Sequence, residues 1–281
     1  MAGLLVIAAT PIGNPDDASP RLRQVLADAD TIAVEDTRRF ARLARDLDLT
    51  HAADVVSFYE AVEASRIPQL LARLASGHTV VLITDAGMPS VSDPGYRLVA
   101  AAAGAGVTVT VVPGPSAVLA ALVASGLPSD RFCFEGFPPR KPGERLRWFE
   151  ALADEPRTLV FFESPRRIGA TLAAASQMLG ADRPAVVCRE LTKTYEEVRR
   201  GTVGELAAWA SDGLLGEITV VVAGAPAPAR ADVGSAELAA AVAAVEAAGS
   251  TRKEAIKAVA LRHGMPKREV FDAVVRQGRV P

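Results

Sequence analysis

Short apolar runs at residues 4–9, 31–34, 55–59, 80–83 and 107–112 alternate with stretches of helical character, and this alternation constrains the chain more than any other feature. Residues 4–9, Leu-Leu-Val-Ile-Ala-Ala, have no polar face, the pattern of a strand covered on both sides in a parallel sheet. Helices between such strands read as right-handed βαβ units. Ser19 before Pro20 is a cap followed by proline at the first helical position, and Gly77 stands just past a helical stretch at 67–74. Further helical stretches cover 40–47, 96–103 and 116–125. Apolar residues make up 49% of the 281 positions, enough for two cores.

From Arg131 the rhythm changes. Strands are expected at 132–137, 159–162, 185–188 and 218–223, an exposed loop at 138–143, and a solvated strand pair over 194–203. Residues 196–203 leave little room for a crossover helix, so the second sheet should be mixed. Residues 225–229, Ala-Pro-Ala-Pro-Ala, are a linker by composition. Beyond it an alanine-rich helix is expected over 237–248, ending at Gly249. Thr251-Arg-Lys-Glu254 is a capping-box pattern opening a helix with Ile256, Val259 and Ala260 on one face. His263-Gly-Met-Pro266 breaks that helix, and another starts at Lys267. The expected fold class is therefore α/β: two α/β domains, residues 1–117 and 118–225. A linker and a small helical basic domain fill 226–281. From residue 250 onward eight Lys/Arg stand against three Asp/Glu, which suits either a nucleic-acid contact or a solvated packing module.

Several function classes are disfavoured. A net charge of -2 exerts no whole-protein pull toward nucleic acid. Cys133 and Cys188 lie in apolar runs and read as buried thiols in a reducing, cytoplasmic setting. Residues 4–9 are too short for a signal peptide, and no apolar run is long enough to span a membrane. His51, His78 and His263 are scattered without partners at ligand spacing, so no metal is expected, and no nucleophile elbow accompanies a serine.

The small and polar residues concentrate in the loops after the strands. Thr84-Asp-Ala-Gly-Met-Pro-Ser-Val-Ser-Asp-Pro-Gly95 follows one run; Thr10-Pro-Ile-Gly-Asn-Pro15, Glu35-Asp-Thr-Arg38 and Pro113-Gly-Pro-Ser116 follow others. Loops at the carboxyl ends of strands in an open α/β sheet gather into one ligand crevice. The Thr10 loop lacks both the glycine spacing of a dinucleotide fingerprint and a Walker lysine. Gly87 and Gly95 permit close backbone approach, while Asp85, Ser90 and Ser92 suit either ligand contact or the satisfaction of loop amides. Asp93, before Pro94, reads as a cap. Cations also collect at strand ends: Arg38 and Arg39, Arg140 and Lys141, Arg166 and Arg167, Arg189 and Lys193. Each alone suits solvated surface; together they suit a phosphorylated or polymeric anion.

In these blocks the sequence resembles the ribosomal RNA small subunit methyltransferase I family, within the tetrapyrrole-methylase-like class of S-adenosylmethionine enzymes. Gly136-Phe-Pro-Pro-Arg-Lys141, Phe162-Glu-Ser-Pro-Arg166 and Arg189-Glu-Leu-Thr-Lys193 carry the resemblance into the second half. The resemblance implies methyl transfer from S-adenosylmethionine to the 2′-hydroxyl of a cytidine in the decoding region of 16S ribosomal RNA. It also implies a cytoplasmic homodimer acting on that RNA or on the 30S subunit, with no role for membrane or DNA. The resemblance places the cofactor in a cleft between the two α/β domains, with contacts then expected from Thr10, Pro11, Gly13, Asp85, Gly87, Pro89, Ser90, Pro115, Ser116 and Ala117. RNA contacts are expected from Arg38, Arg39, Arg140, Lys141, Arg166 and Arg189. Lys193, Glu190, Glu35 and Asp36 are candidates for a catalytic role in loss of the hydroxyl proton, with solvent-mediated loss equally open. Thr84 and Met88 depart from the family's Ser and Thr, and residues 57–62 lack its His-Asn pair. The rival readings are a corrin-precursor methylase and a non-catalytic RNA-binding protein of the same fold.

Overall fold

The strand Leu4–Ala8 (β1) is buried on both faces, and it lies inside a five-stranded parallel sheet. The others are β2 (Thr31–Val34), β3 (Asp54–Ser57), β4 (Thr79–Leu82) and β5 (Thr108–Val112), in the order β3-β2-β4-β1-β5. Alternate residues feed two cores, as the period of a strand requires. Val6, Ala8, Ile32, Val34 and Val81 meet Leu22, Leu26 and Phe40 from α1 (Pro20–Ala27) and α2 (Thr37–Asp46). Leu5, Ile7, Ala33, Val80 and Leu82 meet Leu70, Leu74, Leu98 and Ala102 from α3 (Glu60–Ala75) and α4 (Tyr96–Gly104). The computed structural model describes residues 3–226 and 233–277, so residues 227–229 of the expected linker and Arg279 of the basic tail fall outside the described residues.

Two helices start earlier than the sequence suggests. The Asp36 carboxylate accepts from the backbone N–H groups of Arg38 and Arg39, which opens α2 at Thr37. Helix α3 begins at Glu60 and contains Pro68, although proline usually ends a helix. Burial of Glu63, Leu70 and Leu74 on one face holds the segment helical through the break.

The second sheet comprises β6 (Phe132–Phe134), β7 (Thr158–Glu163), β8 (Pro184–Arg189), β9 (Glu197–Thr202) and β10 (Ile218–Val222), in the order β6-β7-β10-β8-β9. It is mixed: β6 and β7 run parallel, and the other pairs are antiparallel. One face packs Val160, Val186 and Val221 against Val118, Ala121 and Leu122 of α5 (Ala117–Ser125). The other packs Leu159, Phe161, Val187 and Val220 against α6 (Pro142–Ala151), α7 (Ile168–Leu179) and α8 (Val203–Trp209). Three expectations are corrected. Strand β6 stops at Phe134, and Gly136 follows at φ +67. Pro142 and Gly143 belong to the first turn of α6 rather than to a loop. Residues 194–203 form no strand pair of their own; β9 is one edge strand on β8.

By contacts the chain divides into two units, Met1–Ala225 and Pro226–Pro281. The second unit holds α9 (Ser235–Ala247), α10 (Arg252–Arg262) and α11 (Lys267–Gln277) around Leu238, Val242, Ile256, Val259 and Val270. Glu254 accepts from both the backbone N–H and the hydroxyl of Thr251, at 3.0 and 2.7 Å, at the start of α10. No helix among the described residues is long and apolar enough to cross a membrane.

Candidate active site

The loops after β1 and β4 are joined by backbone. Thr10 N–H donates to the Gly87 carbonyl at 2.9 Å, and Gly87 N–H donates to the Thr10 carbonyl at 3.1 Å. Gly87 sits at φ +82, where a side chain is strained and glycine is not. The fully buried Thr10 hydroxyl donates to the Thr84 carbonyl at 3.2 Å. These bonds hold the loop after β4 open over a cavity of about 400 Å³, within the ~300–1,000 Å³ range of small-molecule sites. Glu35, Asp85, Gly87, Met88, Asp93, Ser116 and Ala117 line it from the first sheet's carboxyl edge. Phe162, Ser164, Leu191, Glu217 and Ile218 line it from the second sheet.

The cavity is acidic. Asp85 ties the strand ends together: its carboxylate accepts from Asp36 N–H at 3.2 Å and pairs with Arg39 at 3.3 Å, and its own N–H donates to Glu35 at 3.4 Å. Burial raises the pKa of Glu35, with the nearby Asp85 charge adding to it. Burial also raises that of Asp85, against the opposing pull of Arg39. Asp93 is pushed up to about 7, first by burial and then by Glu35 and Asp85. Three crowded carboxyls with one paired cation suit a ligand that brings positive charge. The apolar faces of Met88, Phe162 and Ile218 suit a flat, weakly polar ring. Helix α5 begins at the cavity with Ser116 as its cap, and its first N–H groups have no partner within the helix, which suits a carboxylate.

Beside the cavity, the Lys193 ammonium donates to Glu190 at 2.9 Å and to the cavity-lining Glu217 at 3.0 Å. Burial works against that charge, but the bonds to Glu190 and Glu217 outweigh it and the Lys193 pKa is raised. The hydrogen bond from Lys193 holds the Glu190 carboxyl below its usual range. The bonds to two carboxylates therefore favour the ammonium form of Lys193 over the proton acceptor. Its remaining chemistry is electrostatic.

Residues 4–207 match the family described as Tetrapyrrole (Corrin/Porphyrin) Methylases. Over 282 residues, 99% of this chain and 96% of the relative, the chain is 54% identical to ribosomal RNA small subunit methyltransferase I of Mycobacterium bovis. The chain belongs to the ribosomal RNA small subunit methyltransferase I family. The protein of that name from Halalkalibacterium halodurans is 41% identical, over 96% of this chain and 94% of its own. Among solved structures, uroporphyrin-III-C-methyltransferase from Thermus thermophilus shares the fold, with a TM-score of 0.57 and 22% identity over 79% of this chain and 94% of its own. Family membership makes this chain an S-adenosylmethionine-dependent methyltransferase.

Of the residues that the family resemblance assigns to the cofactor, Asp85, Gly87, Ser116 and Ala117 line the cavity. Thr10, Pro11, Gly13, Pro89, Ser90 and Pro115 do not. Thr10 and Pro11 are buried beneath it, and Pro89 is buried in the loop. Ser90, at φ +71, turns its hydroxyl toward Gly95. A Cβ on Gly13 would run into Lys193 and Thr192, so this glycine makes room for the neighbouring loop. Among the catalytic candidates Glu35 lines the cavity, whereas Asp36 is the α2 cap, held down to about 2 by hydrogen bonds from Arg38.

The cations also separate. Arg39 lines the cavity. Arg38 is 91% exposed and paired with Asp36, and Lys141, the N-cap residue of α6, is paired with Glu144 in its first turn. Arg140 and Arg166 are exposed. Arg189 pairs with Glu197 across β8 and β9 at 3.0 Å, which makes it a cross-strand tie rather than an open phosphate clamp. Arg167 likewise serves the fold, bonded to Glu163 and to the Pro138 and Pro139 carbonyls. Asp93 is the main correction: Gly95, not Asp93, is the N-cap residue of α4, and Asp93 faces the cavity. Its place inside the Thr84–Gly95 block was the available signal. Phe162 opens one of the blocks that carry the resemblance, but Glu217 carried no signal, because only the packing of the second sheet brings it to the cavity. Among the described residues no acidic, His or Cys cluster could hold a metal ion.

Proposed function

We propose that the protein transfers a methyl group from S-adenosylmethionine to the 2′-hydroxyl of a cytidine in the decoding region of 16S ribosomal RNA, working as a cytoplasmic homodimer. Full-length similarity to the named methyltransferases carries the reading, and the acidic cavity supplies its chemistry. The cofactor supplies a methyl group already activated on a sulfonium, so alignment and exclusion of water are the protein's main tasks. Asp85 and Asp93 offer negative charge to the cationic ligand, while Ser116 and the start of α5 receive its carboxylate. Gly87, fixed by Thr10, presents backbone without a side chain in the way. Lys193, held by Glu190 and Glu217, places a fixed cation beside the site where the ribose oxygen gains negative charge. The cavity-facing Arg39 and the exposed Arg140 and Arg166 are cations suited to RNA phosphates. Helix α5 exposes Leu119 (52%) and Val123 (79%) one turn apart, an apolar face for a second copy to cover.

The test is methyl transfer from labelled cofactor to 30S subunits, to protein-free 16S RNA and to a tetrapyrrole precursor, with the methylated atom mapped. Label on a cytidine 2′-oxygen is expected. Label confined to the tetrapyrrole, or none with any acceptor, overturns the reading. Sedimentation of the same protein reads its oligomeric state.

A further inference from the structure

The helical unit carries a groove with no counterpart in the acidic cavity. It encloses about 580 Å³ and is lined by Arg252, Lys253, Ile256, Lys267, Arg268 and Phe271. All four cations stand in the first turns of their helices, Arg252 and Lys253 on α10, Lys267 and Arg268 on α11. Cations at a helix N-terminus oppose the helix dipole, so helix stability does not account for this placement. Among the described residues none of the four takes part in an ion pair. Between them lies an apolar floor, where Ile256 is buried and the Phe271 ring is 50% exposed. Phe271 is not among the residues packed into the unit's core.

We infer that this groove is a single-stranded RNA site, with the four cations on the phosphates and a base stacked on Phe271. The inference rests on the proposed RNA substrate and adds a second contact surface to it. Cations flanking an exposed aromatic ring are what a single strand requires: charge tracks its backbone, and a ring accepts any base face. An acidic protein surface would meet the charges but has no use for the ring.

The experiment measures binding of the full chain to a protein-free 16S fragment spanning the decoding region, by anisotropy across a salt series, with cofactor affinity by calorimetry as the control. The variant R252Q/K253Q/K267Q/R268Q should reduce the slope of log affinity against log salt by roughly 2–3, near 0.7 for each phosphate no longer neutralised. Phe271→Leu should weaken binding about tenfold with the slope unchanged, and Phe271→Tyr should restore it. Cofactor affinity should stay at the wild-type value in all three. An unchanged slope in the fourfold variant overturns the inference. So does equal binding by Phe271→Leu, or a loss seen with 30S subunits but not with the RNA fragment, which would mark a protein contact. These readouts are of binding, so they stand apart from the methylation assay: RNA held by this groove without 2′-oxygen methylation would sink the proposed activity and leave the groove assigned.

Discussion

Replacing Asp93 with asparagine removes a carboxyl that folding pushes from its ordinary value of 3.8 to about 7. A carboxyl raised in this way adds stability that is fully present below pH 3.8 and is lost as pH rises to about 7. The amide keeps the uncharged state at every pH, so the variant should be no more stable than wild type in acid and should gain on it steadily up to neutrality. The full rise corresponds to about 4 kcal/mol at ~1.4 kcal/mol per tenfold. Asp93 is only half-buried, and solvent screening brings the expected gain near pH 8 to about 2 kcal/mol. The same charge should matter to the cofactor with opposite sign. A charge about 6 Å away at an effective dielectric near 20 is worth about 3 kcal/mol, and screening leaves about 1 kcal/mol, or roughly fivefold in affinity. Denaturant unfolding from below about pH 4 up to 8.5, and calorimetry with S-adenosylmethionine between about pH 5 and 8.5, read the two effects. Asp93→Asn should be more stable and bind more weakly at the alkaline end, and the two proteins should converge at the acid end. A stability difference independent of pH would refute the burial argument. An affinity loss of equal size at both ends would refute the charge argument.

Two further outcomes follow from the same cavity. Gly87→Val should lose cofactor affinity by more than tenfold while remaining folded at a cost of about 1–2 kcal/mol. A Cβ there meets Ile12 at an ordinary 3.5 Å, so strain at φ +82, not crowding within the protein, is the cause; unchanged calorimetric affinity would count against the site. Lys193→Met should slow single-turnover methylation at saturating RNA and cofactor about tenfold or more, because Glu190 and Glu217 lose their shared cation. A wild-type rate in that assay would return Lys193 to a structural role.

Much of the architecture was legible from residue order. Apolar runs without a polar face can only be buried on both sides, and that dictates strands in a covered parallel sheet with helices between them. Local chemistry placed Ser19 at the start of α1 and the Thr251–Glu254 pair at the start of α10, because caps depend on neighbours three residues apart. The long α3 was hidden by Pro68, whose local preference yields to the burial of Leu70 and Leu74.

Within the site, the sequence by itself marked the loops of the first sheet that border the cavity, Gly87 among them. Which side chains face it was decided by contacts between residues far apart in the chain. Thr10 is a buried strut because Gly87 bonds it from 77 positions away. Arg189 is neutralised because β9 folds back as an edge strand and sets Glu197 opposite. Glu217 enters the cavity only because β10 inserts between β7 and β8. Asp93 takes its pKa from Glu35, Asp85 and the burial they share, a property of their proximity and not of any one of them. Local sequence settles backbone conformation because caps, turns and apolar periods act over a few residues; charge state and access depend on burial and distance, which exist only once the sheets have packed.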